Sequence, residues 1–269
     1  MIQKDQEFCL IQLQHENPII ATAIHDGHLF SENLKQISAL SESERLREED
    51  PFTGRWTNIS ENRIIANFSR FEVDLNRPRE KCIYLEPEDA WGLNLWHSKP
   101  SPEVIVEIMS KYDDFYEKVR REITYLLKNI SGIVVLDLHS YNHRREGPDK
   151  PPADSDMNPE INVGTGNMNR GYWAPLVDGF MKDMQSYNYF GMSLDVRENI
   201  KFRGGHFSNW LHENFSSQVC CMSIEFKKFF MDEWTGDPDE KHITEIYALL
   251  QSTLPGIINE LKKLSELSR

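Results

Sequence analysis

Ile133-Val134-Val135-Leu136-Asp137-Leu138-His139-Ser140 is an apolar, β-branched run that stops abruptly at a histidine. Such a run, preceded by Ser131-Gly132, reads as a strand buried on both faces. In open α/β sheets, ligands bind in the crevice beyond the carboxyl ends of the strands. Residues 18–24, Pro18-Ile19-Ile20-Ala21-Thr22-Ala23-Ile24, follow the same pattern and run into His25-Asp26-Gly27-His28. Two buried strands that both end in histidine point to a metal site.

Further strand signals fall at residues 63–68, 71–75, 189–194 and 219–226, and helical signals lie between several of them. Residues 103–130 carry apolar side chains at steps of three and four, from Ile105 and Ile108 through Val119 to Ile130, which places one stripe on a helix. Ser101-Pro102-Glu103 is a helix start and Ser131-Gly132 a stop. Helices are also expected at 172–186 and 240–264, with a short helical run at 41–48. Strands alternating with helices predict an α/β protein with a mixed, mostly parallel sheet. Residues 91–102 and 141–171 are long loops, and the second follows His139 directly, where loops shape pockets.

The chain has 269 residues and a formal net charge of -13. This acidity disfavours nucleic acid and anionic membrane as partners, because phosphate would be repelled. No apolar run approaches the roughly 18 residues of a bilayer span. The opening residues 1–8 lack the apolar core of a secretory signal. Cys9, Cys82, Cys220 and Cys221 include no Cys-x-x-Cys pair, so reduced thiols in a cytoplasmic protein are expected.

A catalytic zinc takes three protein ligands, usually imidazole and carboxylate, and keeps a position open. His25 and His139 are the first two candidates. The third is open among His28, Glu49 and Asp50, and Asp26 is placed to orient His25 from behind. From charge alone, Glu48-Glu49-Asp50 reads as a solvated acidic loop rather than as a ligand. Residues 69–78, Ser-Arg-Phe-Glu-Val-Asp-Leu-Asn-Arg-Pro, alternate polar and apolar side chains. Arg70 and Arg77 there could hold a carboxylate in a bidentate fork, or pair with Glu72 and Asp74. Glu225 is a lone carboxylate near the end of an apolar strand, costly to bury unless paired or used as a general base. Arg203-Gly204-Gly205-His206 reads as a turn that allows close backbone approach.

These pieces together resemble the N-formylglutamate amidohydrolase family. The matching blocks are Ala23–Gly27, Glu49-Asp50-Pro51-Phe52, residues 69–78, Asp137-Leu138-His139-Ser140, Asn162-Val163-Gly164-Thr165, Arg203-Gly204-Gly205, and Glu225 with Met231-Asp232-Glu233. Asp-x-Asn-Arg-Pro and Asp-x-His-Ser are the specific ones. The resemblance implies a single three-layer domain over residues 1–269, of the zinc-peptidase-like kind. It implies zinc-dependent hydrolysis of an N-acyl amide on an acidic amino acid, and histidine breakdown as its setting. It makes His25, Asp50 and His139 the metal ligands. Arg70, Asn76 and Arg77 would grip substrate carboxylate, Arg70 would also stabilise the oxyanion, and Glu225 would be the general base. The sequence departs from the family pattern at Ile24, at Leu29-Phe30, and at His28, which stands where the peptidase-type His-x-x-Glu pair has its glutamate. Another zinc deacylase or carboxypeptidase-like hydrolase, and a non-catalytic amino-acid-binding protein, are the competing readings.

Overall fold

Strand β4 (Ile133–Tyr141) is buried at all nine positions and lies at the centre of one sheet. The computed structural model describes residues 7–13 and 16–267. The first six residues, part of the run read as carrying no secretory signal, lie outside the described residues. The other strands are β1 (Cys9–Gln12), β2 (Ile19–Ala23), β3 (Asn62–Ala66), β5 (Ile161–Gly164), β6 (Val196–Glu198) and β7 (Val219–Lys227), in the spatial order β1-β3-β2-β4-β7-β5-β6. Pairings β3–β2, β2–β4, β4–β7 and β5–β6 are parallel, whereas β1–β3 and β7–β5 are antiparallel. The sheet is therefore mixed and mostly parallel. Its central strands β2, β4 and β7 all point their carboxyl ends the same way, and that end carries His25, His139 and Glu225.

The strand period of two sends alternate side chains into two cores. Ile133 and Val135 face the long helix α4 (Pro102–Leu126) and α6 (His206–Phe215). Val134, Leu136 and Leu138 face α5 (Ala174–Ser186) and α7 (Glu240–Leu267). Burial of both faces explains why β4 shows no polar alternation. Ser101 caps α4 by accepting from the Val104 N–H, and Pro102 occupies the first turn, where its missing N–H costs nothing. The short helices α1 (Glu32–Lys35), α2 (Glu42–Glu48) and α3 (Thr53–Trp56) fill the connection from β2 to β3. All four cysteines are buried and unpaired. No helix among the described residues is long and apolar enough to cross a membrane.

Two expected strands are absent. Residues 71–75 form turns, with the Glu72 and Val73 N–H groups both donating to the Ser69 carbonyl. Their alternation misleads because Glu72 and Asp74 are as buried as Phe71, Val73 and Leu75. Residues 189–194 make a tight turn through Phe190 (φ 50°) and Gly191 (φ 86°), leaving Phe190 and Met192 exposed. The long helix expected to reach residue 130 ends at Leu126. Strands β1, β5 and β6, of three or four residues, and helix α6 were not anticipated.

Helix α6 is tied to the sheet by a histidine. The Cys221 N–H on β7 donates to His212 Nε2 at 3.0 Å, so His212 must be neutral, with Nδ1–H donating to Asn167 Oδ1. Burial lowers its pKa from the usual 6.5 to about 4. A base held neutral by the fold contributes stability above its unfolded pKa and loses it as pH falls toward the folded one. The midpoint of urea unfolding should therefore drop between pH 6.5 and 4, and drop less in His212→Gln; identical pH profiles would assign no role to this contact.

Candidate metal centre

The loop beyond β2, the end of β4 and the segment after α2 meet at three side chains. His25, Asp50 and His139 are 2%, 2% and 2% exposed. One ligand atom from each lies within 4.8 Å of the others. Asp50 Oδ2 stands 3.0 Å from His139 Nδ1 and 3.4 Å from His25 Nδ1. Ligands on a tetrahedral zinc at about 2.0–2.1 Å are separated by roughly 3.3 Å, so both spacings fit one ion.

The hydrogen bonds around the imidazoles say which nitrogens face inward. His25 Nε2 lies 2.7 Å from Asp74 Oδ1, and His139 Nε2 lies 3.0 Å from Asp137 Oδ2. A carboxylate fixes the ring tautomer by accepting its N–H, which leaves each Nδ1 with a free lone pair. Two such lone pairs and a carboxylate oxygen then converge in a site closed to bulk water. Donors so placed repel one another unless a cation or protons sit between them. The same carboxylates raise the proton affinity of His139: burial lowers it, but Asp137 and Asp50 more than offset that. Asp50 moves the opposite way, its carboxyl held far below the usual range by the two histidines despite burial. The donor set of two imidazoles and one carboxylate suits zinc.

The orienting carboxylates are themselves held. Thr22 Oγ1 donates to Asp137 at 2.6 Å, and Asp74 accepts from Arg70 Nη2 at 2.8 Å, from the Asn76 N–H at 2.8 Å and from the Tyr84 hydroxyl. Asp137 was legible in principle, because residues two apart on a strand share a face. Asp26, expected to orient His25, instead accepts from the Gly54 N–H at 2.9 Å and so supports the segment after Asp50. Burial raises its pKa to about 6. His28 and Glu49, the alternative third ligands, pair with each other, and Ser69 donates to Glu49.

The Asp50 segment is pinned at several points. The Asp50 N–H donates to the His25 carbonyl at 2.9 Å, and Ser140 Oγ lies 3.2 Å from Asp50 Oδ1. Lys228, 1% exposed, donates to the carbonyls of Arg47 and Glu49 at 2.6 and 2.7 Å. Phe52 adopts a left-handed conformation (φ 72°) immediately beyond. A large residue held there marks a segment fixed by its surroundings.

A cleft of about 360 Å³ opens above the three donors. Glu225 lines it beside His139, its register partner across β4 and β7. Among the described residues its carboxylate has no hydrogen-bond or ion-pair partner. Burial pushes its pKa up to about 7. Arg70 and Asn76 also line the cleft, as do Arg145 and Asn142 from the long loop after β4. Arg77 does not. Its guanidinium stacks over the Tyr84 ring at 4.7 Å and donates to the Asp89 carbonyl at 3.3 Å. Arg145, Lys201 and Arg203 line the cleft without having been singled out as substrate contacts. A larger hollow, about 770 Å³, lies at the opposite end of the sheet near Pro18 and Gly132 and holds none of these groups.

A three-layer α/β scaffold with a buried His-Asp-His cluster at the strand ends and a free carboxylate beside it has the layout of a hydrolase site. The sequence model of the N-formylglutamate amidohydrolase family matches residues 17–231, and the chain belongs to that family. The fold is similar to the crystal structure of N-formylglutamate amidohydrolase from Ralstonia eutropha JMP134, with TM-score 0.68 and 15% identity over 96% of this chain and 97% of that one. It is also similar to gene product Atu2144 from Agrobacterium tumefaciens, with TM-score 0.63 and 16% identity over 90% and 92%. No curated protein matches the chain by sequence.

Replacing Asp137 by Asn removes the charge behind His139 without touching a donor atom. Zinc affinity, measured by competition with a chromogenic chelator, should fall about 10–100-fold in Asp137→Asn. His139→Ala should retain no stoichiometric zinc in elemental analysis, and full retention would remove His139 from the ligand set.

Proposed function

We propose that this protein is a metal-dependent amidohydrolase that cleaves the N-acyl amide of an acidic amino acid, with N-formyl-L-glutamate as the type substrate. The observation that carries this reading is Glu225, a carboxylate without a partner, facing the cleft next to His139 and the converging donors. A general base works best with a pKa near the operating pH, and Glu225 is raised to about 7 by burial. A structural carboxylate in such a place would have acquired a cation.

His25, Asp50 and His139 would hold a divalent ion, which would supply Lewis acidity by lowering the pKa of water and polarising a carbonyl. The remaining work falls to side chains. Glu225 takes the proton from the attacking water as its oxygen bonds to the acyl carbon. As the C–N bond breaks, Glu225 returns that proton to the leaving nitrogen, and formate and the free amino acid result. Arg70 keeps one amino group, Nη1, without a hydrogen bond, since Nε and Nη2 are spent on Tyr84 and Asp74. That amino group is available in the cleft to stabilise the charge that develops on the acyl oxygen. Pairing with Asp74 fixes the guanidinium before substrate arrives. Asn76 lines the same wall and contributes to carboxylate binding.

The family membership favours the formyl group and the glutamate side chain. A panel of N-formyl, N-acetyl and peptide substrates separates this activity from that of other zinc deacylases. Hydrolysis of N-formyl-L-glutamate should dominate the panel. Glu225→Gln should bind zinc as the parent does and lose about 10²–10⁴-fold in turnover. A Glu225→Gln enzyme with near-parental turnover would exclude Glu225 as the base.

A further inference from the structure

We infer that Arg203 is the specificity-determining residue for the side-chain carboxylate of the substrate. The inference rests on the proposed acidic amino-acid substrate and adds the group that selects it.

The cleft has five cationic side chains, and four are already committed. Arg70 pairs with Asp74 at 2.8 Å, Arg145 with Glu48 at 2.9 Å, and Lys228 with two carbonyls. Lys201 donates to Asn158 at 2.6 Å. Arg203 has no hydrogen bond or ion pair from its guanidinium to any described residue. A free arginine on an open surface is ordinary, but this one is mounted differently. Its backbone is fastened on every side. The Gly166 N–H donates to the Arg203 carbonyl at 2.7 Å, Asn162 Nδ2 to the Phe202 carbonyl at 2.8 Å, and Asn167 Nδ2 to the Gly205 carbonyl at 3.1 Å. On the far side the Phe207 N–H donates to Asn76 Oδ1 at 3.0 Å. Gly204 holds φ +107°, which disfavours any side chain there.

Space is also reserved for the arginine stem. A Cβ at Gly166 would lie 2.8 Å from Arg203 Cβ and 3.0 Å from Nε. The result is a firmly held backbone that presents one uncommitted planar cation at the cleft. A planar guanidinium with no protein partner is the group that gains a bidentate carboxylate without giving up an existing bond.

Depth decides which carboxylate. The donor cluster is 2% exposed, whereas Arg203 sits at the open mouth. The α-carboxylate of an N-acyl amino acid adjoins the scissile nitrogen and stays deep, on the wall that Asn76 lines. The side-chain carboxylate extends toward the mouth and Arg203.

Titration calorimetry of the full-length protein with L-glutamate and with L-glutamine isolates this contact, because the two differ only in the side-chain group. The parent protein should prefer L-glutamate. Arg203→Met should weaken L-glutamate by about 10–100-fold and leave L-glutamine unchanged. Arg203→Lys should keep part of the preference, and Gly166→Ala should reduce it by crowding the arm. An undiminished preference in Arg203→Met, or none in the parent, would overturn the inference. A parent that shows an Arg203-dependent preference yet leaves N-formyl-L-glutamate intact would support the subsite while contradicting the proposed reaction.

Discussion

Three lone-pair donors converge in a place closed to bulk water, and the rest of the site is arranged to make that tolerable. Burying one uncompensated charge costs several kcal/mol, and leaving one buried donor unsatisfied costs about 1–3 kcal/mol. Asp50 faces Nδ1 of both histidines at 3.0 and 3.4 Å, with Asp74 and Asp137 behind the rings. A cation between the donors relieves that cost, and the spacing of the donors matches the size of one.

The protein as a whole carries a net charge of -13, yet the proposed substrate is an anion. The two facts are reconciled locally. Arg70, Arg145 and Lys228 neutralise or cap the acidic segment around the donors, and Arg203 stands in excess at the mouth. Lys228 has a further effect. By holding the carbonyls at the end of α2 it fixes the segment that bears Asp50, as a cation at a helix C-terminus does. On the proposed reading, the held cations serve the scaffold and the unheld one serves recognition.

Sequence disclosed the parts of this site that lie on strongly patterned strands. His25, His139 and Glu225 were legible because β2, β4 and β7 are continuous apolar runs, and chemistry in such sheets gathers at their carboxyl ends. Asp50 was not legible from charge, since Glu48-Glu49-Asp50 looks like a solvated loop. All three are buried because partners remote in sequence come to meet them: Arg145 for Glu48, His28 for Glu49, and His139 for Asp50. The alternation at residues 69–78 imitated a strand for the same reason: Lys111 and Arg70 allow Glu72 and Asp74 to be buried, so polarity no longer marked the exposed face. Strands as short as β5 and β6 carry too few residues to show a period. Family resemblance pointed to Asp50, which the fold brings beside His25 and His139, and to Arg77, which the fold stacks over Tyr84.

The most direct measurement is diffraction from the zinc-loaded protein at energies on either side of the zinc absorption edge. The expected result is one anomalous peak per chain, about 2.0–2.2 Å from Nδ1 of His25, Nδ1 of His139 and a carboxylate oxygen of Asp50. A peak elsewhere, a peak reached through Nε2, or two imidazoles that stay hydrogen-bonded to Asp50 with no ion between them would contradict it.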